Sequence, residues 1–291
     1  MNYPSWIINE VRKNKKELRG SSASDTASDL RAYRLHTVCD EALCPNKGNC
    51  FKSGEATFLI LGDICTRNCG FCAVKKTRPQ PLDTGEPSRI AALVKKWKLK
   101  YAVFTSPTRD DLSDGGASHY ASVIKEIKKI SPDTCTEPLI PDFLGDMKAV
   151  ETVIKAEPSV LAHNVEMAES LYSHIRKGAN YERSLAVLKY AKEISPNSLV
   201  KSGIMLGLGE TDGEIKKTIE DLAHAGCDLL NIGQYIPPSS SHWPVKKFYS
   251  LEEFLSYEKF SLSLGFKAVL SGPLVRSSYK ARELYLKAAA R

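Results

Sequence analysis

From about residue 57 onward, short β-branched or apolar runs alternate with amphipathic helical stretches, and this alternation narrows the possible folds to a few. Thr57–Gly62 reads as a buried strand. Ser88–Trp97 reads as a helix, because Ile90, Leu93, Val94 and Trp97 recur on one face. Further strands are expected at Tyr101–Thr105, Thr134–Ile140, Val160–His163, Leu199–Leu206 and Asp228–Ile232. Helices are expected between them at Ala117–Ile130, Asp146–Ala156, Glu182–Ile194, Asp212–Ala225 and Leu251–Leu264. Phe266–Leu270 adds a short last strand. Such repeats require right-handed parallel crossovers. Six or seven of them favour an α/β chain folded as a partial (β/α)6-type parallel barrel over a flat doubly wound sheet. Chemistry in such barrels sits at the C-terminal ends of the strands. Residues 1–55 fall outside the repeat as an N-terminal extension, helical at Ile7–Leu18 and polar and mobile at Ser21–Ser28. Residues 56–271 form the barrel, and residues 272–291 a C-terminal tail with a helix at Ala281–Ala289.

At 291 residues and 42% apolar content the chain can bury a sizeable core. It has no run of about 18 apolar residues of the kind that spans a membrane. Met1–Gly20 lacks a secretory apolar stretch and mixes Lys and Arg with Glu, so a cytoplasmic location is expected. Eight cysteines without an export signal point to reduced thiols and metal binding rather than disulfides. The net charge of +7 fits either a solvated Lys-rich surface or an acidic partner, and charge alone does not decide. Lys95, Lys96, Lys98 and Lys100 lie on or beside a helix, where they call for no further explanation.

Six of the cysteines crowd into the first quarter of the chain. Cys65, Cys69 and Cys72 follow the first barrel strand with C-x3-C-x2-C spacing. Three thiolates this close can hold three irons of a 4Fe–4S cubane and leave the fourth open to a small molecule. Structural zinc, which takes four protein ligands, is the competing reading. Cys39, Cys44 and Cys50 form a second triad, spaced C-x4-C-x5-C, which on its own also fits a structural metal site stapling the extension. Cys135 lies in a strand and Cys227 just before one, and both read as small buried hydrophobes.

The words around these cysteines carry a resemblance. The first triad, with Phe71 before its last cysteine, resembles the radical S-adenosylmethionine (SAM) superfamily. The run Cys39–Phe51 followed by Gly62–Ala73 is similar to lipoyl synthases. The similarity continues through Thr105–Gly116, Leu139–Asp142, His163-Asn164, Gly178–Leu185, Lys201–Glu210 and Gly233–Tyr235, and ends at Gly272–Tyr279. Pro107 and the Pro237–Trp243 stretch depart from the family pattern, and neither removes a cluster ligand.

The resemblance implies two 4Fe–4S clusters and SAM. Cys65, Cys69 and Cys72 would hold the SAM-binding cluster. Cys39, Cys44, Cys50 and Ser278 would hold an auxiliary cluster that donates sulfur. It further implies SAM cleavage and sulfur insertion at carbons 6 and 8 of a protein-bound octanoyl-lysine. The implied partners are octanoylated lipoyl-domain proteins or glycine cleavage H protein, a flavodoxin or ferredoxin, and an iron–sulfur carrier protein, with no nucleic acid and no membrane.

Several assignments stay open at this level. Ser278 precedes a helix, so an N-cap is its competing role, and Ser277 is one residue away. Gly207 and Gly209 lie in a glycine-rich loop that lacks the G-x-G-x-x-G pattern and is read as letting backbone approach the adenosine. Glu210 either meets the cofactor or caps the next helix. His163 and Asn164 sit at a strand end, where a structural role competes with cofactor contact. Lys201 and Arg67 are placed near the same face, within reach of carboxylates. Two other classes compete with this reading. One is a radical SAM enzyme that inserts sulfur into tRNA. The other is a non-enzymatic iron–sulfur or zinc protein.

Overall fold

A computed structural model of the protein describes residues 3–290. Its eight strands pair in chain order: β1 (His36–Thr37), β2 (Phe58–Leu59), β3 (Tyr101–Thr105), β4 (Cys135–Leu139), β5 (Val160–Ala162), β6 (Leu199–Leu206), β7 (Leu229–Gln234) and β8 (Ala268–Gly272). β1 runs antiparallel to β2, and every later pair is parallel. Among the described residues β8 pairs only with β7, so the barrel is open. The partial barrel read from the sequence is therefore present, with one more parallel strand than six and a short antiparallel flank from the extension.

Among the described residues twelve α-helices accompany the strands. The extension holds α1 (Ser5–Glu17), α2 (Ser21–Ala32), α3 (Val38–Glu41) and α4 (Lys47–Lys52). The barrel carries α5 (Glu86–Lys96), α6 (Ala117–Ile130), α7 (Met147–Ile154), α8 (Tyr172–Ile175), α9 (Tyr181–Ile194), α10 (Asp212–His224) and α11 (Leu251–Ser263), and the tail carries α12 (Ala281–Ala289). Local chemistry fixes several starts. Thr211 with Glu214, and Ser250 with Glu253, form reciprocal capping boxes on α10 and α11. Asn180 and Asp146 cap α9 and α7. Apolar faces then dock: Ile90, Leu93 and Val94 of α5 and Val123, Ile124 and Ile127 of α6 are fully buried.

Two expectations change. Ser21–Ser28 is the start of a helix, not a mobile stretch. Ala23, Thr26 and Leu30 recur at helical spacing and are buried, and the Thr26 hydroxyl donates to the Phe51 carbonyl of α4 at 2.9 Å. The first barrel strand is also shorter than Thr57–Gly62. Leu61 leaves it in a left-handed conformation (φ 68°), with its N–H donated to Glu86 and its carbonyl accepting from Arg109. That turn delivers the chain into the Cys65 loop.

The N-terminal end of the barrel is plugged by α12. Leu284 and Ala288 pack on Val160, Leu229 and Ala268, the first residues or near-first residues of their strands. The opposite end is left open, and there the cysteine loops converge.

Candidate active site

All six clustered cysteines and Ser278 line a single cavity of about 1140 Å³, whereas Cys135 and Cys227 do not. The cavity follows the inward-facing residues of β3, Tyr101, Val103 and Thr105, and reaches β4 at Leu139, β6 at Gly203 and Met205, and β7 at Asn231 and Gly233. All eight cysteines are free thiols.

The Cys65 loop is held from outside by the loop after β3. Three consecutive residues there each grip it. The Thr108 N–H donates to Cys65 Sγ at 3.3 Å. Arg109 holds the Leu61 carbonyl at 2.9 Å. Asp110 accepts from Arg67 Nε and Nη2 at 2.7 and 2.9 Å. Arg67 Nη2 also donates to Asp142 at 2.7 Å, and Asp142 takes a further bond from Arg183. Burial opposes ionisation of Asp142, yet the Arg67 hydrogen bond and charge win and hold its carboxyl down to about 2. Arg67 thus meets carboxylates of this chain. The Pro237–Trp243 stretch packs on the same loop, with the Trp243 N–H donated to the Gly70 carbonyl at 2.9 Å.

The second triad reaches the cavity through the extension and is tied to the tail. Thr37 caps α3, which carries Cys39. Asn46 Nδ2 donates to the Leu274 carbonyl at 2.6 Å. Asn231 Nδ2 on β7 donates to the carbonyls of Arg276 and Ser277 at 2.7 and 3.0 Å. Gly233 lies so close that a Cβ there would stand 2.2 Å from the Val275 carbonyl oxygen. Ser277's hydroxyl is engaged by Asn164, while that of Ser278 makes no hydrogen bond among the described residues. The N-cap of α12 is Lys280, and no side chain caps that helix, so Ser278 is not its cap.

Burial pushes the Cys69 thiol up to about 11 and Cys50 to about 12, and raises Cys39 and Cys72 as well. Thiols held this high become thiolates when cationic iron supplies the compensating charge, with release of protons. Two thiol triads and one hydroxyl facing a common space fit two cubane clusters, each short of one thiolate.

The other sequence candidates divide. Asn164 lines the cavity. His163 does not; it is buried, its Nδ1 bonds the Ile140 carbonyl at 2.9 Å, and its Nε2 has no partner. Lys201 does not line it either. Its ammonium pairs with Glu137 at 2.7 Å, both side chains 1% exposed, and the hydroxyl of Tyr101 also donates to Glu137 inside the barrel. Glu210 spends its carboxylate on the N–H groups of Gly207, Leu208 and Gly209, and neither it nor the two glycines line the cavity. Gly207 is required by packing: at φ 103°, its Cβ would lie 2.3 Å from Gln234 Nε2. Sequence reasoning missed Glu166, Arg176 and Arg276, which put one carboxylate and two guanidiniums into the cavity. Arg176 bears electrostatically on Cys69, and Arg276 on Cys44. Adjacency of Glu166 to His163-Asn164, and of Arg276 to the serines, was the available signal.

Residues 59–222 match the family described as the Radical SAM superfamily. The chain is 50% identical over 280 residues to a lipoyl synthase of Caldicellulosiruptor saccharolyticus, covering 96% of each chain. It is also 50% identical over 272 residues to a lipoyl synthase of Aquifex aeolicus, covering 94% of this chain and 99% of the other. The chain belongs to the lipoyl synthase family. It is a radical SAM sulfurtransferase of lipoate biosynthesis, and the family carries a 4Fe–4S cluster and SAM. Solved structures agree on the fold. That of methylornithine synthase superposes with a TM-score of 0.58 at 13% identity, over 96% of this chain and 80% of the other. That of the FeFe-hydrogenase maturase HydG superposes with 0.56 at 14%, over 98% and 70%. No helix among the described residues is long and apolar enough to cross a membrane.

Proposed function

We propose that this protein inserts sulfur at carbons 6 and 8 of an octanoyl-lysine carried by a protein domain, using two clusters that face one cavity. The convergence of both cysteine triads and Ser278 on that cavity is the observation that carries the reading. Cys65, Cys69 and Cys72 hold the SAM-binding cluster, and Cys39, Cys44, Cys50 and Ser278 the auxiliary one. When bound, the clusters and SAM supply the radical chemistry and the sulfur, which no acid or base on the chain could provide at an unactivated carbon. The chain's own share is placement. Thr108, Arg109 and Asp110 fix the loop of the first cluster. Asn46 and Asn231 hold the tail that brings Ser278 over the second. Arg176 and Glu166 line the cavity on the Cys69 side and suit the carboxylate and ammonium of a methionyl group. Asn164 joins them through Glu166. A hydroxyl ligand is harder and weaker than thiolate, so Ser278 would suit a labile corner of a cluster that has to give up sulfur. The substrate would be an octanoylated lipoyl domain or H protein, electrons would come from a flavodoxin- or ferredoxin-type donor, and an iron–sulfur carrier protein would rebuild the spent cluster.

Paired variants test the division of labour. Cys69→Ala should abolish deoxyadenosine formation while leaving the auxiliary cluster's iron. Cys44→Ala should still form deoxyadenosine from SAM but give no sulfur-bearing product by mass spectrometry. Normal lipoyl product from Cys44→Ala would sink the assignment of that cluster as sulfur donor.

A further inference from the structure

The cavity has a second opening, bordered by the turn after Cys50 and by the tail just past Ser278. β2 pairs with β3 only at Phe58–Phe104 and Leu59–Thr105, so the lower half of β3 lacks a neighbour on that side. There the lining passes down Val103 and Tyr101 to Lys100 and Lys98, and across to Lys280, Arg282 and Glu283 at the start of α12. From Lys100 at this mouth to Thr105 on the Cys65 side, five strand steps at about 3.3 Å each span ~16 Å, whereas Ser278 is only two residues from Lys280. An extended octanoyl-lysine has about 13 bonds from its last carbon to the lysine Cα, at roughly 1.25 Å of advance per bond, and so also spans ~16 Å. A domain seated at this mouth could therefore pass its acyl arm by the Cys39 triad and bring the acyl end to the Cys65 side.

The mouth is cationic in a way the fold does not ask for. Lys98, Lys100 and Arg282 are exposed, and among the described residues none is paired with a carboxylate. Lys280 pairs with Glu283 at 3.2 Å, and Glu55 is the other carboxylate of the rim. Lys98 and Lys280 both adopt left-handed backbone (φ 52° each), which glycine or asparagine takes with less strain. Lys280 and Arg282 further sit at the N-terminus of α12, where the helix dipole favours anions. Strained backbone and unfavourably placed charge persist where a function needs them.

We propose that the mouth formed by Lys98, Lys100, Lys280 and Arg282 is the docking surface for the acidic face of a folded carrier domain, whose acyl-lysine enters alongside β3. This rests on the sulfur-insertion reading above and adds where the partner binds and by what charge. A nucleic acid would be the other polyanion. The patch is a short ring around a slot with Tyr101 at its floor, rather than a track of cations with stacking aromatics, and this favours the domain.

The test uses the full, cluster-loaded enzyme and two substrates: an octanoylated carrier domain of net negative charge, and a short neutral peptide bearing octanoyl-lysine. The variant is Lys98→Glu with Lys100→Glu. Lys125→Glu with Lys259→Glu, exposed and off the cavity, makes the same change in net charge elsewhere. The proposal expects the ratio of kcat/KM for domain over peptide to fall at least tenfold in the first pair and to stay within about twofold in the second. The salt dependence of the domain's KM should also flatten in the first pair, because exposed charge pairs are screened within about 8–10 Å. An unchanged ratio, or an equal fall in both pairs, would overturn the docking site. So would a single-stranded RNA whose binding is lost in the first pair while domain turnover is retained. Peptide turnover by the wild-type enzyme supports the sulfur-insertion reading independently of docking. If the wild type converts neither substrate, that reading fails, and the docking proposal with it.

Discussion

Gly233→Ala is the smallest change that should separate the two clusters. The added Cβ would stand 2.2 Å from the Val275 carbonyl oxygen, where contacts under 3.0 Å force a shift. The obstacle is backbone, so the tail must retreat by about 0.8 Å or more. The bonds from Asn231 to the Arg276 and Ser277 carbonyls, now 2.7 and 3.0 Å, then stretch beyond useful range. Two hydrogen bonds at about 1 kcal/mol each are lost. Restricting the unfolded chain returns roughly 0.4–1 kcal/mol. The net cost is about 1–2 kcal/mol, small enough for the barrel to remain folded. Ser278 moves with the tail, away from the Cys39 triad, while nothing touches the Cys65 loop. Iron and sulfide analysis should therefore show loss at the auxiliary site alone. Deoxyadenosine formation should persist and lipoyl product should fall at least tenfold, with thermal unfolding shifted by only a few degrees. Full product formation by this variant would refute the idea that tail position governs the auxiliary site. Loss of deoxyadenosine as well would show that the tail serves both clusters.

Two further outcomes follow from the barrel interior. Lys201→Met strands Glu137 in a buried layer and should cost about 3–5 kcal/mol in denaturant unfolding, while Lys201→Met with Glu137→Leu should recover most of it; the doubly substituted protein should bind SAM as the wild type does, and weakened SAM binding there would restore Lys201 to the cofactor site. Burial holds His163 neutral, down to about 4 from an ordinary 6.5, so the unfolded chain binds the extra proton between those values and stability falls on acidification through that window. The fall attributable to His163 between about pH 7 and pH 5 should be ~2 kcal/mol, and His163→Asn, compared with the wild type by urea unfolding at each pH, should remove it; equal slopes in the two proteins would contradict this.

What could be read from the sequence follows from what is local. Amphipathic period and short apolar runs placed the barrel's helices and strands, because each element's own residues decide its buried face. The cysteine spacings pointed to cluster ligands because three thiols within eight residues are held by one loop. What depended on a partner far along the chain was not legible. Lys201 looked available because Glu137, 64 residues earlier, meets it only through the register of β4, β5 and β6. Glu210 looked like a cofactor contact, although the glycine loop's own amides consume it. Ser21–Ser28 looked mobile because its buried face is small and polar, made of Ala23 and Thr26 rather than leucines.

The rim lysines show the same limit from the other side. Beside a helix, Lys98 and Lys100 are ordinary solvated residues, and nothing local distinguishes them from Lys95 or Lys96. Lys96 indeed pairs with Asp29 on the surface at 2.6 Å. The difference appears only when the tail, some 180 residues later, brings Lys280 and Arg282 to the same opening. The sheet must leave the lower half of β3 unpaired for that opening to exist, and it does so because β2 begins only at Phe58, opposite Phe104, after Gly54 turns the chain out of α4 in a left-handed conformation (φ 69°). Two local features therefore share the work: the turn at Leu61 aims the Cys65 loop into the cavity, and the late start of β2 leaves a slot through which an acyl arm can reach it. Leu61→Val, a β-branched residue at this left-handed position, would disturb the Cys65 loop and leave the slot, whereas charge reversal at Lys98 and Lys100 would touch the slot alone. That difference keeps docking and catalysis experimentally separable in this fold.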